Sequence, residues 1–311
     1  MKYLILSIVL HVYIFTSFRM FKLKNVHTLS AIVVNYWVCV GTGFVFYALG
    51  RNLGWVPEEV AAAPFFPDWG GWGYFGLLLG FFFVSIFYLM AITTQRLTVA
   101  VASTASKMSL VLPVLFSLLV LQIGLETFDL WNIAGLVLAF LSIALTSYQG
   151  KSKELPDKPL STNLWILPFA VFLGSGAIDI ILNYANNHHV TPETEPLFPI
   201  VSFGSAAVAG TVISLVQRVK LRMRNVVAGI LLGVPNYFSI FFVLMALSSM
   251  DNNGAVVFPI INIGVIMLSS LAGVVLFRER LSAINLLGLL AAASSIVLIS
   301  YQALQSGFLN M

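Results

Sequence analysis

The chain has 311 residues, of which 59% are hydrophobic and only 9% are Asp, Glu, Lys or Arg. A soluble domain carries roughly 25% charged residues, so this composition excludes a water-soluble fold and indicates an all-α integral membrane protein. The net charge of +4 is small, and the single cysteine, Cys39, excludes an intramolecular disulfide.

Ten apolar segments long enough to cross a bilayer are predicted along the chain. All should be transmembrane helices, because lipid-exposed backbone must form its hydrogen bonds within its own segment. The predicted spans are residues 2–20, 28–50, 70–94, 98–121, 128–148, 162–185, 196–217, 225–249, 253–276 and 281–303.

An internal repeat organises these spans, because the stretch from Gly76 to Gln149 returns as Gly229 to Gln302. The matched residues include Gly76 and Gly80 with Gly229 and Gly233, Glu126 with Glu279, Asn132 with Asn285, and Gly135 with Gly288. The sequence therefore predicts one five-helix repeat over residues 1–150, a linker over 151–161 and a second repeat over 162–311. Five is odd, so the second copy should be inverted in the membrane, as in many secondary transporters.

The lysines and arginines are distributed unevenly between the two sides of the predicted membrane. Thirteen lie on the side opposite the N-terminus, two lie on the N-terminal side, and Lys107 lies inside a span. Positive residues favour the cytoplasmic side. This bias predicts a multi-pass protein of the cell membrane with both termini outside the cytoplasm.

Ten spans, two inverted halves, and a glutamate followed nine residues later by a glycine near the end of each half (Glu126 and Gly135, Glu279 and Gly288) resemble the drug/metabolite transporter superfamily. The EamA-like branch is the most similar. The resemblance implies a secondary transporter, often an exporter, that moves a small metabolite such as an amino acid by alternating access. It also implies that both termini are cytoplasmic, opposite to the charge count.

Lys107 is the foremost candidate site residue, because it lies near the middle of the fourth predicted span beside Ser103 and Ser106. A charge at membrane depth costs at least ~2.5 kcal/mol on insertion scales and usually faces a cavity or a partner. Lys107 is therefore expected to anchor a substrate anion such as a carboxylate. A structural ion pair is the alternative.

Three further intramembrane residues complete the primary candidates. Asp179 is the acidic residue deep in a span of the second half, and it could pair with Lys107, bind substrate or carry a coupling proton. Asn262 is the repeat counterpart of Lys107, so one helix face is polar in both copies. His11 is interpreted either as a proton relay or as a hydrogen-bonded packing residue.

Secondary candidates for the substrate site follow from proline and from polar residues within spans. Pro235 should kink its helix where the second copy gains two residues, which brings Asn236 and Tyr237 into consideration. Asn35, Tyr36 and Tyr88 are further candidates. Glu126 and Glu279 are interpreted as caps of the helices that follow them, or as proton gates. Asn132 and Asn285 are interpreted as helix-contact residues.

The expected partners are a small-molecule substrate and the lipid bilayer, with a coupling proton as a candidate and a monomer or homodimer as the assembly. No phosphate loop, dinucleotide fingerprint or paired-cysteine site occurs in the sequence. We therefore predict no cofactor, no metal site, no catalytic residues and no nucleic acid. A flippase for a lipid-linked substrate on the same fold, or an integral-membrane enzyme acting on lipid, are the alternative functions.

Overall fold

The computed structural model describes residues 2–54, 64, 68–119, 129–148, 165–191, 193–249 and 254–309, and within these ranges its regular structure is helical. Along the chain lie α1 (Lys2–Leu23), α2 (Thr28–Leu53), α3 (Gly71–Arg96), α4 (Val99–Lys107), a 3₁₀ segment (Met108–Leu110), α5 (Val111–Leu119), α6 (Leu130–Ser147), α7 (Ile166–His188), α8 (Leu197–Val216), α9 (Met223–Ser248), α10 (Gly254–Phe277) and α11 (Ala283–Leu309).

The described helices are those of a multi-pass membrane protein. Nine helical segments of the described ranges are long and apolar enough to cross a membrane, and Ile166–Leu182 is a shorter apolar helix. The prediction of an all-α membrane protein is therefore confirmed. The predicted linker 151–161 and Glu126 both lie outside the described residues.

Side-chain caps explain why the chain reverses in so few residues between spans. Thr98 accepts a hydrogen bond from the Val101 N–H at 3.1 Å and starts α4 only two residues after α3 ends. Asp129 and Asn132 form a reciprocal capping box at the start of α6. The end of α2 is capped by backbone instead, because Gly54, with φ of 70°, adopts the left-handed conformation and its N–H donates to the Gly50 carbonyl.

The fourth predicted span is helical from Val99 to Leu119, but it is not α-helical throughout. It is interrupted by the 3₁₀ segment directly after Lys107. Pro113, in the first turn of α5, has no N–H to continue the α-helical pattern backwards. The Ser109 hydroxyl donates to the Ser106 carbonyl at 2.6 Å, a local bond that also competes with the regular helix. The 3₁₀ segment therefore has a local chemical cause.

The chain divides into two compact units. Unit one contains residues 1–20, 89–176 and 238–311, and unit two contains residues 21–88 and 177–237. Each unit draws helices from both halves of the sequence, so the units are not the two predicted repeats.

In unit one, α6 packs along α11 through matched asparagines. The Asn132 Nδ2 donates to the carbonyls of Leu298 and Ile299 at 3.3 and 3.0 Å. The Asn285 Nδ2 donates to the carbonyls of Leu145 and Thr146 at 3.1 and 2.9 Å. Donors and acceptors are shifted by the same 153 residues, so the two contacts are reciprocal.

In unit two, the repeated glycines make a second reciprocal set of contacts. Gly76 and Gly80 of α3 lie against α8, where a Cβ on Gly80 would meet the backbone of Ser202 and Ala206. Gly229 and Gly233 of α9 lie against α2, where a Cβ on each would come within 2.7 Å of a backbone carbonyl oxygen. Small residues allow membrane helices to approach this closely.

Candidate functional site

Polar side chains flank the 3₁₀ segment after Lys107 in unit one. Ser103 donates to the Ala100 carbonyl at 3.1 Å, and Ser175 of α7 donates to the Ser106 hydroxyl at 3.4 Å. Thr104 is fully buried, and its hydroxyl has no hydrogen-bond partner within the described part of the chain. Lys107 itself is partly buried and makes at least one polar or electrostatic contact.

His11 of α1 lies near this wall. Its Nδ1 lies 2.9 Å from the Ser7 carbonyl and therefore donates to it, while Ser7 donates to the Ser239 carbonyl at 3.4 Å. The charge of Lys107 acts on the His11 imidazole. The structure thus brings two of the predicted residues, His11 and Lys107, into electrostatic range of each other within unit one.

Asn262 belongs to the same unit and is 8% exposed. It lies on α10, which packs against α4. The packing around it is apolar, because α1, α4, α9 and α10 share a buried core of Leu4, Ile8, Phe15, Val99, Ala102, Ala246, Val257, Ile261 and Val265. A buried amide in such a core usually has a hydrogen-bonding task.

Asp179 belongs to unit two, where it is partly buried on α7. Asp179, like Lys107, takes part in a polar or electrostatic contact. The pairing of these two charges stays a prediction.

Asn35 and Asn236 meet in the tight contact between α2 and α9 in unit two. The Asn236 Nδ2 donates to the Asn35 Oδ1 at 3.2 Å, and the Cys39 thiol donates to the Gly233 carbonyl at 3.3 Å. A Cβ on Gly233 would lie 2.6 Å from the Val38 Cβ, so α2 and α9 approach each other closely beside this pair. In this conformation the pair acts as a helix contact.

The three predicted tyrosines are dispersed in unit two. The Tyr36 hydroxyl donates to the Phe83 carbonyl at 2.9 Å, and the side chain is 1% exposed. Tyr237 is buried at the contact with Gly43. Tyr88 is 38% exposed on α3. Among the described contacts, none joins these tyrosines into one site.

Glu279 has a different partner from the one expected of a cap. It does not cap α11, the helix that follows it; its carboxylate accepts from the Val99 N–H at 3.1 and 3.2 Å, at the start of α4. It also pairs with the Arg19 Nε at 3.5 Å. Burial raises the pKa of the Glu279 carboxyl, opposed by the Val99 N–H and the Arg19 charge.

Arg19 connects the same junction to α3, a role that no sequence pattern indicates. Its Nη1 donates to the carbonyls of Thr94 and Gln95, both at 3.1 Å. A cation suits the carbonyls at a helix C-terminus. Arg19 and Glu279 therefore connect four places in unit one, namely the ends of α1 and α3, the start of α4 and the turn after α10.

No protein-family model matches the chain. It is 33% identical over 229 residues to a protein of Haemophilus influenzae described as uncharacterized, which covers 72% of this chain and 74% of that relative. A solved crystal structure of another protein is similar to this chain with a TM-score of 0.61 and 14% identity, covering 98% of this chain and 97% of that chain. At that identity the likeness shows the fold alone. The chain belongs to the same family as the Haemophilus influenzae protein.

Proposed function

We propose that the protein is a secondary transporter that moves a small metabolite across the cell membrane by alternating access. The carrying observation is Lys107, which lies inside the fourth span directly before the 3₁₀ segment. Charged residues within membrane-spanning helices usually face a cavity or a partner and mark a substrate or ion pathway. A 3₁₀ interruption within a helix also often marks a hinge.

The proposal includes two inverted five-helix repeats. The reciprocal hydrogen bonds of Asn132 and Asn285 support this arrangement, because each asparagine binds the helix that carries the other. The glycine pairs of α3 and α9 support it in the same way, through α8 and α2 respectively. An inverted duplication accounts for both sets at once, since corresponding helices then exchange equivalent contacts.

The proposed substrate site is centred on Lys107 and lies between helices of both repeats. Lys107 of α4 would bind a carboxylate, and the buried Thr104 hydroxyl offers an additional hydrogen bond. Asn262 of α10 supplies a neutral amide from the second repeat. One charged and one neutral counterpart make an asymmetric site, which suits an asymmetric small molecule.

Asp179 provides the second charge of the proposal. It would meet the amine of an amino acid or carry a coupling proton. The family resemblance favours outward transport. Replacement of Asp179 by Asn is expected to abolish pH-driven transport while exchange of internal for external substrate continues.

The experiment is transport by the full chain in proteoliposomes, loaded in turn with amino acids and other metabolites that carry a carboxylate. The expected result is efflux or exchange of at least one of them, strongly reduced in Lys107→Met and retained in Lys107→Arg. Absence of transport across a broad panel, from protein that remains folded, would contradict the proposal.

A further inference from the structure

Unit two contains a basic groove of about 700 Å³ that the transport proposal does not use. It lies between the turn that joins α1 to α2 and the turn that joins α8 to α9. Its basic lining residues are Lys22, His27, Arg218, Lys220, Arg222 and Arg224. Because none of its lining residues is acidic, the groove has a one-sided positive field that suits an anion.

Asn225 gives this groove a buried hydrogen-bond donor. Its side chain lines the groove, the residue is 1% exposed, and its Oδ1 accepts from the His27 backbone N–H at 3.1 Å. Its Nδ2 is buried and has no partner within the described part of the chain. A buried donor without an acceptor is costly. An oxygen atom of a bound anion would satisfy it.

The backbone of the two turns is shaped by left-handed residues. Asn25 has φ of 52° and Arg218 has φ of 50°. Asparagine tolerates this conformation, but for arginine it is uncommon. The two turns form the walls of the groove, since Asn25 and Arg218 both line it.

Exposed apolar side chains lie in the same region of the chain as the groove. Leu215, Val216, Leu221 and Met223 are 72%, 78%, 65% and 76% exposed and lie within the same turn region. In a membrane protein such residues face acyl chains. The groove also lies on the side that carries the excess of lysine and arginine, which is the predicted cytoplasmic side.

We propose that this groove binds the phosphate-bearing headgroup of an anionic phospholipid. The arginines and lysines would surround the phosphate, the Asn225 Nδ2 would donate to one of its oxygens, and the acyl chains would lie along the exposed apolar residues. A free phosphate shares the headgroup chemistry but lacks the acyl chains. The site is a lipid site, separate from the one proposed for the transported substrate.

The test is lipid binding to the purified full chain in neutral detergent, measured by native mass spectrometry with phosphatidylglycerol, phosphatidylcholine and inorganic phosphate as separate probes. We expect phosphatidylglycerol to be retained and to raise the apparent melting temperature, because a ligand of the native state stabilises it. Arg222→Gln combined with Arg224→Gln should weaken this binding about 30-fold, from two basic contacts near the membrane surface.

The matched control is Arg96→Gln combined with Arg278→Gln, which removes two exposed arginines on the same predicted side outside the groove. It should change phosphatidylglycerol affinity by less than about twofold. Asn225→Asp keeps an acceptor for the His27 N–H but replaces the donor by an anion. It should lose phosphatidylglycerol binding without a large change in melting temperature in the absence of lipid.

Three results would overturn the proposal. The first is that the Arg222 and Arg224 double variant binds phosphatidylglycerol like the parent. The second is that the Arg96 and Arg278 control loses as much affinity. The third is that inorganic phosphate or phosphatidylcholine binds as well as phosphatidylglycerol, which would make the acyl chains or the charge irrelevant. None of these results bears on transport, so the two proposals fail independently.

Discussion

The contact between α6 and α11 and the span that contains Lys107 come from the same duplicated stretch, yet the two copies agree in the first and differ in the second. Asn132 and Asn285 exchange equivalent hydrogen bonds, and Gly135 and Gly288 each lie against the opposite helix. The fourth span, in contrast, contains the 3₁₀ segment Met108–Leu110 directly after Lys107, whereas its counterpart α10 is α-helical from Gly254 to Phe277 despite Pro259.

This difference separates the scaffold from the candidate site. Matched residues maintain contacts that both copies need, whereas a residue that changes from lysine to asparagine between the copies is free to serve one substrate. A substitution where the copies differ should therefore change transport, and substitutions where they agree should change stability.

Lys107→Met should have the largest effect and should act on transport. A charge-assisted bond to a carboxylate is worth about 1.5–3 kcal/mol, so loss of the charge should reduce transport about 10- to 100-fold. Folding should be retained, since methionine removes a costly intramembrane charge. Transport rates in proteoliposomes for the parent, Lys107→Met and Asn262→Leu measure how unequally the two repeats contribute to transport. Equal losses in the two variants would remove the distinction between the copies.

Gly288→Ala should act on stability. An added Cβ would lie 2.6 Å from the Thr146 backbone N, and backbone cannot move as easily as a flexible side chain. Overpacking of this kind costs about 1–3 kcal/mol. The control is Gly41→Ala, where a Cβ meets nothing within 4 Å. Unfolding in detergent should separate the two variants, and equal stability would mean that α6 and α11 are not closely packed.

Asn285→Ala and Asn132→Ala should each lower the free energy of unfolding by a smaller amount. Hydrogen bonds between membrane helices are worth about 0.6 kcal/mol on average and up to about 1.7. Asn285 also donates to the Tyr148 carbonyl at 2.9 Å, so its loss should be the greater of the two. Transport per folded molecule should change little. A selective loss of transport in either variant would contradict a purely structural role.

Glu279→Gln should produce the smallest effect, and this effect should appear only when stability is measured as a function of pH. Burial raises the pKa of this carboxyl above its usual value of 4.5, so the folded state binds its proton more tightly than the unfolded chain does. Its contribution to stability is therefore present below pH 4.5 and is lost as pH rises through the raised pKa.

The difference in melting temperature between the parent and Glu279→Gln isolates this carboxyl from the other titrating groups. We expect the parent to lose stability relative to the variant as pH rises above 4.5. A difference that stays flat, or that changes in the opposite direction, would mean that the ion pair with Arg19 outweighs desolvation.

The helical membrane fold could be predicted from the sequence because the bilayer imposes both span length and backbone satisfaction. Lys107 was recognisable for the same reason, since a charge inside an apolar span is conspicuous. The 3₁₀ turn beside it was not, because residues 98–121 are together long and apolar enough for one helix, and Pro113 fits the first turn of a new helix as well as a kink.

Long-range partners were the least predictable part of the candidate site. Glu279 and Val99 are 180 residues apart, and a carboxylate next to a turn gives no indication of which helix start it will meet. Asn35 and Asn236 are secondary candidates for the substrate site, and the sequence does not show that they hydrogen-bond to each other across 201 residues. Polar residues in membrane helices serve packing as readily as binding.

The most direct test of the account is ligand-induced stabilisation of the purified protein by a panel of metabolites, compared between the parent, Lys107→Met and Lys107→Arg. We expect a ligand with a carboxylate to raise the melting temperature of the parent, to raise that of Lys107→Arg by a smaller amount, and to leave that of Lys107→Met unchanged. A ligand that stabilises Lys107→Met as strongly as the parent would contradict the central claim that the substrate binds where the two copies differ.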